Sequence, residues 1–354
     1  MSEVKMKTKK KKIILGVIIF FICIAITSVS YAGYLYYQAQ QIVTDSHEEV
    51  GRENETSTYR SEQVDPVEDN VSVLFIGVDD SEHRDSAANS RSDALILGTF
   101  NKNNNSVKLV SIPRDSYVYI PEVGYSTKIN HAHAYGGTKA TIETVEAFLK
   151  VPVDYYVRLN FNAFVDIVDA IDGIHFDVPY EIVESDSGDL RDAIHLSPGY
   201  QLLDGEQALA LARTRKYDSD VERGKRQQEI IKIIADKISS ASSLFNLEDV
   251  LQAVGANMKS NLTMPEIRGF LSYALNSDIH IENVNFQGVG DYMDDGGWYY
   301  LVDEESRFSI QDELRNHLEL EPYEETVEQK YEDGYQEVNQ QEEYNELSQE
   351  EFQG

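Results

Sequence analysis

The sequence predicts an α/β sandwich built on one central sheet, preceded by a single membrane-crossing helix. Three observations carry that prediction. A lysine-rich start leads into an uncharged run from Ile13 to Tyr37. The run Val71 to Val78 (VSVLFIGV) is almost continuously apolar, as in a strand covered on both faces. Strand and helix patterns then mix along the chain as far as residue 287, the rhythm of a layered α/β domain.

The first element is the anchor. Lys5, Lys7 and Lys9 to Lys12 precede the span, whose first half, Ile13 to Ile26, is nearly all apolar. About 20 such residues, at about 1.5 Å each, cross a hydrocarbon core of about 30 Å. Lysines before the span and none just after it place residues 1–12 in the cytoplasm and the rest of the chain outside, a single pass through the cell membrane. Tyr31, Tyr34, Tyr36 and Tyr37 suit the outer interface. The rival is a cleaved signal peptide, with Ser30-Tyr31-Ala32 as its cleavage site. The apolar run exceeds the ~7–15 residues of a usual h-region, which favours a retained anchor spanning 13–37. Cys23 reads as a membrane-facing apolar side chain.

Residues 38–70 carry six glutamates and three aspartates with few apolar residues, and read as a polar stalk. The folded body is expected over 71–310. Within it Ala94 to Phe100 and Val107 to Ile112 are strands around the turn Asn101–Asn105. Thr138 to Leu149 has helical spacing, Tyr155 to Leu159 reads as a strand, Phe161 to Ile171 as a helix stopped by Gly173, and Ile174 to Val178 as a strand. Helices are expected over 205–214, 221–239, 247–258 and 264–275, then a strand near 281–287. Residues 311–354 read as an acidic, disordered tail, because 320–354 alone hold twelve acids and one lysine.

Charge narrows the function. The chain of 354 residues has 62 Asp+Glu against 31 Lys+Arg, a net of −31. Six lysines and one glutamate lie in the first 12 residues, so 13–354 hold 25 basic and 61 acidic side chains, a net of −36. Such a body repels nucleic-acid phosphates, which excludes general DNA or RNA binding. The single cysteine forms no intrachain disulfide, and no Cys/His set suits structural zinc.

Asp79 and Asp80 follow the first buried strand, and Arg91-Ser92-Asp93 precedes the second. Strand ends are where α/β proteins place ligands. Two such carboxylates can hold one Mg²⁺, which takes few carboxylates plus substrate oxygens; solvated turn acids are the plainer reading. The third strand ends in Ile112-Pro-Arg114-Asp115, and the segment from Lys128 to Gly137 gathers Asn130, His131 and His133 before a helix. An i,i+2 histidine pair without a third ligand favours hydrogen bonding over metal binding. From Gln207 to Gln228 there are six basic residues and three acids. Gln227 and Arg223 lie on the stripe of Ile230, Ile231, Ile234 and Ile238, so they point inward. Ion pairs with Asp218, Asp220 or Glu222 can neutralise one or two arginines. They do not easily serve Arg213, Arg215, Arg223 and Arg226 together with Arg91 and Arg114, which phosphate or pyrophosphate balances better.

These segments resemble the LytR-CpsA-Psr family of Gram-positive cell-wall enzymes. The likeness runs from Val73 to about Ile238 through motifs that occur in order. They are Phe75-Ile-Gly-Val-Asp79, Ser90-Arg-Ser-Asp93, Ser111-Ile-Pro-Arg-Asp115, Lys128-Ile-Asn-His-Ala132 with Tyr135-Gly-Gly137, Asp169-Ala-Ile-Asp-Gly173, and Leu203-Asp-Gly-Glu-Gln-Ala-Leu209 leading to Arg213-Thr-Arg215. The resemblance implies an α-β-α sandwich with a central mixed sheet. It further implies transfer of a glycopolymer, such as teichoic acid or capsule, from a polyprenyl-pyrophosphate carrier to peptidoglycan. On it, Asp79 and Asp93 match magnesium-binding carboxylates (Mg²⁺ or Mn²⁺), with Asp80 and Asp85 as competing ligands in a long loop. Arg91, Arg114, Arg213, Arg215 and Arg223 match pyrophosphate-binding arginines, Gln227 a polar contact and Asp220 an acidic position of the site. Arg114, Asp220 and Arg223 are then the candidate catalytic residues. The base is open between Asp220 and Asp115 on residue type. A pyrophosphatase that uses water, and a non-catalytic module that binds lipid-linked glycan, are the alternatives.

Overall fold

The computed structural model describes residues 2–52, 55–78, 90–214, 220–238, 255, 257–274 and 279–323. In chain order the elements are α1 (Ser2–Ser46), β1 (Val71–Val78), β2 (Ser92–Asn101), β3 (Ser106–Ser111), β4 (Tyr117–Ile120), β5 (Tyr125–Lys128), α2 (His131–Leu149), β6 (Tyr155–Asn160), α3 (Phe161–Ala170) and β7 (Ile174–Val178). There follow β8 (Ile182–Glu184), β9 (Ile194–Leu196), β10 (Gly199–Leu203), α4 (Gly205–Arg213), α5 (Asp220–Ile238), β11 (Met258–Ser260), α6 (Met264–Ala274), β12 (His280–Asn285), β13 (Gly288–Tyr292), β14 (Trp298–Val302) and α7 (Glu304–His317).

A six-stranded sheet in the order β11-β6-β1-β2-β3-β12 forms the middle layer. It is mixed. β1 runs parallel to β6 and β3 parallel to β12, while β1–β2 and β2–β3 are antiparallel. The continuous apolar run of β1 is explained by its two covers. Leu74, Ile76 and Val78 pack with Ile142 and Val145 of α2 and Ile310 and Leu314 of α7. On the opposite face Val71 and Val73 pack with Phe270 of α6, and Ile96 of β2 and Leu109 of β3 pack with Ile231 of α5. Each fully buried aliphatic side chain contributes about 1.5–3 kcal/mol, so both helical layers are held by the sheet. The result is an α-β-α sandwich. A smaller core, with Val168, Leu203, Leu211 and Ile230 at its centre, joins α3, α4 and α5 to the β7–β10 ribbon.

Along α1, Phe20 to Ser46 is long and apolar enough to cross a membrane, and its most apolar stretch is not buried in the protein. Phe20, Phe21, Ile22, Ile24, Ile26 and Val29 are exposed, which is compatible with a single-pass anchor.

Two expectations need correction. Residues 38–70 are not a free polar stalk: α1 continues to Ser46, His47 pairs with Ser260 of β11, and Glu48 donates its amide to the Ser260 carbonyl at 2.9 Å. Arg60 then clamps Asp154 with two hydrogen bonds, at 2.9 and 2.7 Å, and Arg52 pairs with Glu146 at 3.2 Å. Buried acids on the body recruit those arginines, whose partners are invisible in a local pattern. The body also does not end at 310, since that boundary falls inside α7, whose Leu314 is fully buried with Leu318 close behind. The helix expected over 247–258 lies mostly outside the described residues; residues 255 and 257 are helical, and Met258 opens the edge strand β11.

Candidate functional site

The site grows from strand ends. β1 and β2 pair to their limits, with Val78 opposite Ser92 across a register shift next to Gly77. A Cβ on Gly77 would stand 3.1 Å from that of Ala94, a close backbone approach at the end of the strand pair. Asp93 follows Ser92. On the other side of β2, β3 runs out into Pro113, whose carbonyl accepts the Ser116 amide at 3.0 Å and its hydroxyl at 2.7 Å. This tight turn presents Arg114 and Asp115 together. A guanidinium Nη1–H of Arg114 donates to Asp93. Asp115 is buried and pairs with Lys128 Nζ at 3.0 Å, so the β4–β5 hairpin is tied at its base to the same turn.

The first turn of α5 completes the cluster. Asp220 and Arg223 lie three residues apart, on one helix face, and are 6% and 4% exposed. They form an ion pair at 2.9 Å. Gly224 lets this turn lie directly on the end of β3, since a Cβ there would stand 2.3 Å from Ser111 Oγ. Burial raises the Asp220 carboxyl above its ordinary range, opposed by Arg223 and reinforced by a hydrogen bond and like charge from Asp115. Burial also lowers the Arg223 guanidinium, against the pull of Asp220. The Nε–H groups of Arg114 and Arg223 are buried with no hydrogen-bond acceptor among the described residues, as is the side-chain oxygen of Asn130.

Beside the cluster lies a rim. Arg91 is exposed, and its charge is felt by both His131 and Tyr135. Burial, with Arg91 and Lys128 nearby, lowers His131 to about 4, so its ring is neutral at physiological pH. Thr127 Oγ1 sits 3.1 Å from His131 Nδ1. His133 is buried and bonds the Ser90 carbonyl at 2.7 Å through Nδ1, a hydrogen-bonding role.

The structure therefore brings together Asp93, Arg114, Asp220 and Arg223, with Arg91 on the rim. Arg213 ends α4, with its guanidinium 4.6 Å from the centre of the Phe161 ring and Nη1 3.5 Å from the Asp186 carbonyl. Gln227 is half-buried, and its amide donates to the Ala212 carbonyl at 3.1 Å. Asp79, Asp80, Asp85, Arg215 and Asp218 lie outside the described residues.

The charge expectation is corrected in two places. Arg226 is engaged by the protein's own backbone: it donates to the carbonyls of Leu211 at 3.2 Å and Thr214 at 2.6 Å, fixing the end of α4 against α5. Acids also neutralise more of the cluster than the local count around α5 implied, because β2 and β3 each deliver an aspartate beside a cation. Asp115, until now a candidate base by residue type alone, is placed in the cluster, and Lys128 is the member that sequence reasoning left off the site. Its signal was present in a lysine opening the Asn130–His133 segment.

The donor set bears on a metal. Among the described residues no group of three or more His, Cys, Asp or Glu could hold an ion. Mg²⁺ takes only one or two protein carboxylates and fills its sphere with water and substrate oxygens, and Asp93 offers a side chain 30% exposed at the mouth of the cluster. That arrangement fits a substrate-completed site.

Comparison with known proteins decides the family. The profile of the LytR_cpsA_psr family matches residues 33–316. The chain belongs to that family. Among curated LytR_cpsA_psr relatives and their neighbours, an uncharacterized protein of Staphylococcus aureus is 43% identical over 292 residues, covering 81% of this chain and 72% of that protein. The polyisoprenyl-teichoic acid–peptidoglycan teichoic acid transferase TagT of Bacillus subtilis is 36% identical over 327 residues, covering 90% of this chain and 99% of TagT. A structure of TagT bound to LI-WTA superposes with a TM-score of 0.66 at 35% identity, covering 77% of this chain and 100% of that chain. The LytR-CPS2A-psr family protein YwtF (TagT) with bound octaprenyl pyrophosphate lipid gives a TM-score of 0.63 at 33% identity, covering 77% and 100%. This family member thus shares its fold with a TagT bound to LI-WTA and with one that holds octaprenyl pyrophosphate lipid.

Proposed function

We propose that this protein transfers a glycopolymer, as a phosphodiester, from a polyprenyl-pyrophosphate carrier to peptidoglycan at the outer face of the cell membrane. The observation that carries the reading is the pair of buried Nε–H donors on Arg114 and Arg223 with no hydrogen-bond acceptor among the described residues, beside a cluster of cations at the strand ends. Guanidinium donors in that setting suit phosphate oxygens. The relatives named as teichoic acid transferases, and the similar structure holding octaprenyl pyrophosphate, support the same substrate class.

In the reaction, a sugar hydroxyl of peptidoglycan attacks the phosphorus that carries the glycan. The new oxygen–phosphorus bond forms as the bond to the bridging oxygen breaks, and polyprenyl phosphate leaves with the electron pair. Charge grows on the leaving phosphate, so catalysis is chiefly positioning and neutralisation. Arg114 and Arg223 take that charge, with Arg91, Arg213 and Arg215 as further phosphate ligands and Gln227 as a polar contact. The hydrogen-bonded carboxyls of Asp115 and Asp220 accept the hydroxyl proton. A Mg²⁺ or Mn²⁺ ion would be held by Asp93 with Asp79, and would supply further neutralisation of phosphate oxygens.

The lysine-rich N-terminus supports a cytoplasmic start, with the sandwich outside. The test is a transfer assay with defined lipid-pyrophosphate glycans and nascent peptidoglycan, with and without Mg²⁺. The expected result is acceptor-dependent transfer that Arg114→Ala and Arg213→Ala abolish. Phosphate release at the same rate without peptidoglycan would instead make the protein a pyrophosphatase. Tight lipid binding without turnover would make it a binding module.

A further inference from the structure

The rim of the cluster carries aromatic groups that neither the phosphate chemistry nor the core accounts for. Tyr125 on β5 and Tyr135 in the first turn of α2 are 44% and 42% exposed. The Tyr125 hydroxyl donates to that of Tyr135 at 3.0 Å, and their rings stand 6.1 Å apart at 66°. His131 packs edge-on against Tyr135, with ring centres 6.0 Å apart. These three rings are held out of the core by backbone design. α2 is interrupted at Gly136 and Gly137, the latter with φ +64°. A Cβ on Gly136 would stand 2.7 Å from Ala140 Cβ and 3.0 Å from Glu122 Cγ, so glycine there lets the β4–β5 turn approach the helix. That approach sets Tyr125 beside Tyr135.

We propose that Tyr125, Tyr135 and His131 form a saccharide platform that holds the sugar joined to the pyrophosphate of the lipid-linked donor. This rests on the donor chemistry given above. The C–H faces of a pyranose are weakly positive and apolar, and match the electron-rich face of a tyrosine ring, while its hydroxyls match phenol and imidazole. The two rings bury such a face at little entropic cost, since each has only two side-chain torsions. Position argues for the donor sugar over a distant part of the acceptor. Arg91 acts on both His131 and Tyr135, and Lys128, at the end of the strand that carries Tyr125, reaches Asp115. Platform and cation cluster thus share the strand β5, and Arg91 acts electrostatically on the first turn of α2. The first sugar of the donor is separated from phosphate by a single oxygen, so it must lie against whatever borders the phosphate site.

The experiment measures binding of two probes to the full chain in lipid nanodiscs. One is a short polyprenyl pyrophosphate bearing a disaccharide, and the other is the same carrier without sugar. The wild type is expected to prefer the glycosylated probe about tenfold, or about 1.4 kcal/mol. Tyr125→Ala and Tyr135→Ala should erase that preference while leaving affinity for the bare carrier unchanged. Tyr135→Phe, which keeps the ring, should retain most of it, and unchanged melting temperatures confirm that each variant is folded. Equal affinity of the wild type for both probes, or a Tyr135→Ala protein that still discriminates, overturns the proposal. So does a loss confined to soluble peptidoglycan fragments, which assigns the platform to the acceptor. Failure of the wild type to bind either probe would sink the pyrophosphate reading itself, a distinct result.

Discussion

The carboxyls of Asp115 and Asp220 are hydrogen-bonded to each other, one from the turn after β3 and one from the first residue of α5. Two carboxyls can share such a bond only when one of them carries a proton. Burial raises Asp220, and the neighbouring Asp115 charge raises it further. Three cationic groups, on Arg114, Lys128 and Arg223, stand around this pair, which lets one negative charge persist in a buried place.

If this pair is the base, the acid limb of the transfer rate against pH lies above the ordinary aspartate range, because the carboxyl must lose its proton to act. Asp115→Asn removes the like charge, so the limb should move to lower pH. Asp220→Asn should slow transfer by about 10²–10⁴-fold while keeping lipid-pyrophosphate binding within a few-fold. Stability has the matching sign. A raised folded-state value contributes stability below the unfolded value that is lost as pH rises through the raised one, so the wild-type melting temperature should fall over that interval. A limb that stays put in Asp115→Asn would remove the pair from proton transfer.

Arg114 and Asp93 compete with any metal. The carboxylate expected to hold the ion is already bonded to a guanidinium. Removing that guanidinium frees the carboxylate and also removes a repelling charge. Arg114→Ala should therefore bind Mn²⁺ more tightly, on the order of threefold, given the about 0.2–1 kcal/mol that a partly exposed pair is worth. The same variant should transfer glycan about 10²–10³-fold more slowly, because charge on the leaving phosphate loses a donor. Paramagnetic resonance titration and the transfer assay read the two effects separately. Metal affinity that is unchanged or weaker would place the ion elsewhere.

Gly224 tests how α5 delivers Arg223. An alanine Cβ would stand 2.9 Å from Ser111 Cβ and closer still to its hydroxyl, so the helix must move off the strand end. Gly224→Ala should cost about 1–3 kcal/mol by overpacking. Transfer should fall more than the melting temperature alone would explain, since Arg223 moves with the helix. Ser111→Gly in the same chain should partly restore both, as it removes the opposing atoms. Absence of any rescue would mean that the helix start is set by something other than this contact.

The sequence made the sheet legible where burial was total. β1 shows as an unbroken apolar run because α2 and α7 cover one face and α5 and α6 the other. α7 stayed hidden because its composition is mostly polar, and only Ile310, Leu314 and Leu318, four residues apart, mark the buried stripe. The β4–β5 hairpin was equally silent: β4 alternates in burial, but over only four residues, and the hairpin's place is set by the Gly136 approach and by Lys128–Asp115. Among site residues, residue type and spacing indicated which side chains turn inward but not what they meet. Arg223 and Arg226 both lie buried on α5; Arg223 takes Asp220, one of the three local acids that the spacing allowed, whereas Arg226 takes two backbone carbonyls that no spacing indicates. Partners drawn from distant segments leave no local trace.

His317, in the last turn of α7, joins the C-terminal helix to the sheet. Its Nδ1 lies 2.8 Å from Thr99 Oγ1 on β2 and its Nε2 2.8 Å from Ser106 Oγ on β3, while its carbonyl accepts the Asn101 amide at 2.6 Å. Burial, with Lys108 nearby, lowers the ring from 6.5 to about 4, so it is neutral in the fold. An unfolded chain binds the proton more readily. The stability this histidine contributes is therefore present above about 6.5 and lost as pH falls toward about 4. The melting temperature should decline over that window, and His317→Gln should flatten the decline. The variant should also be less stable at neutral pH by about 1–3 kcal/mol, because the two hydroxyls lose a partner that spans both strands. Hydrogen exchange should then show α7 opening ahead of the central strands, since its end is no longer pinned. A wild-type profile flat down to pH about 4, or an unaltered slope in His317→Gln, would show that the imidazole carries none of the acid sensitivity.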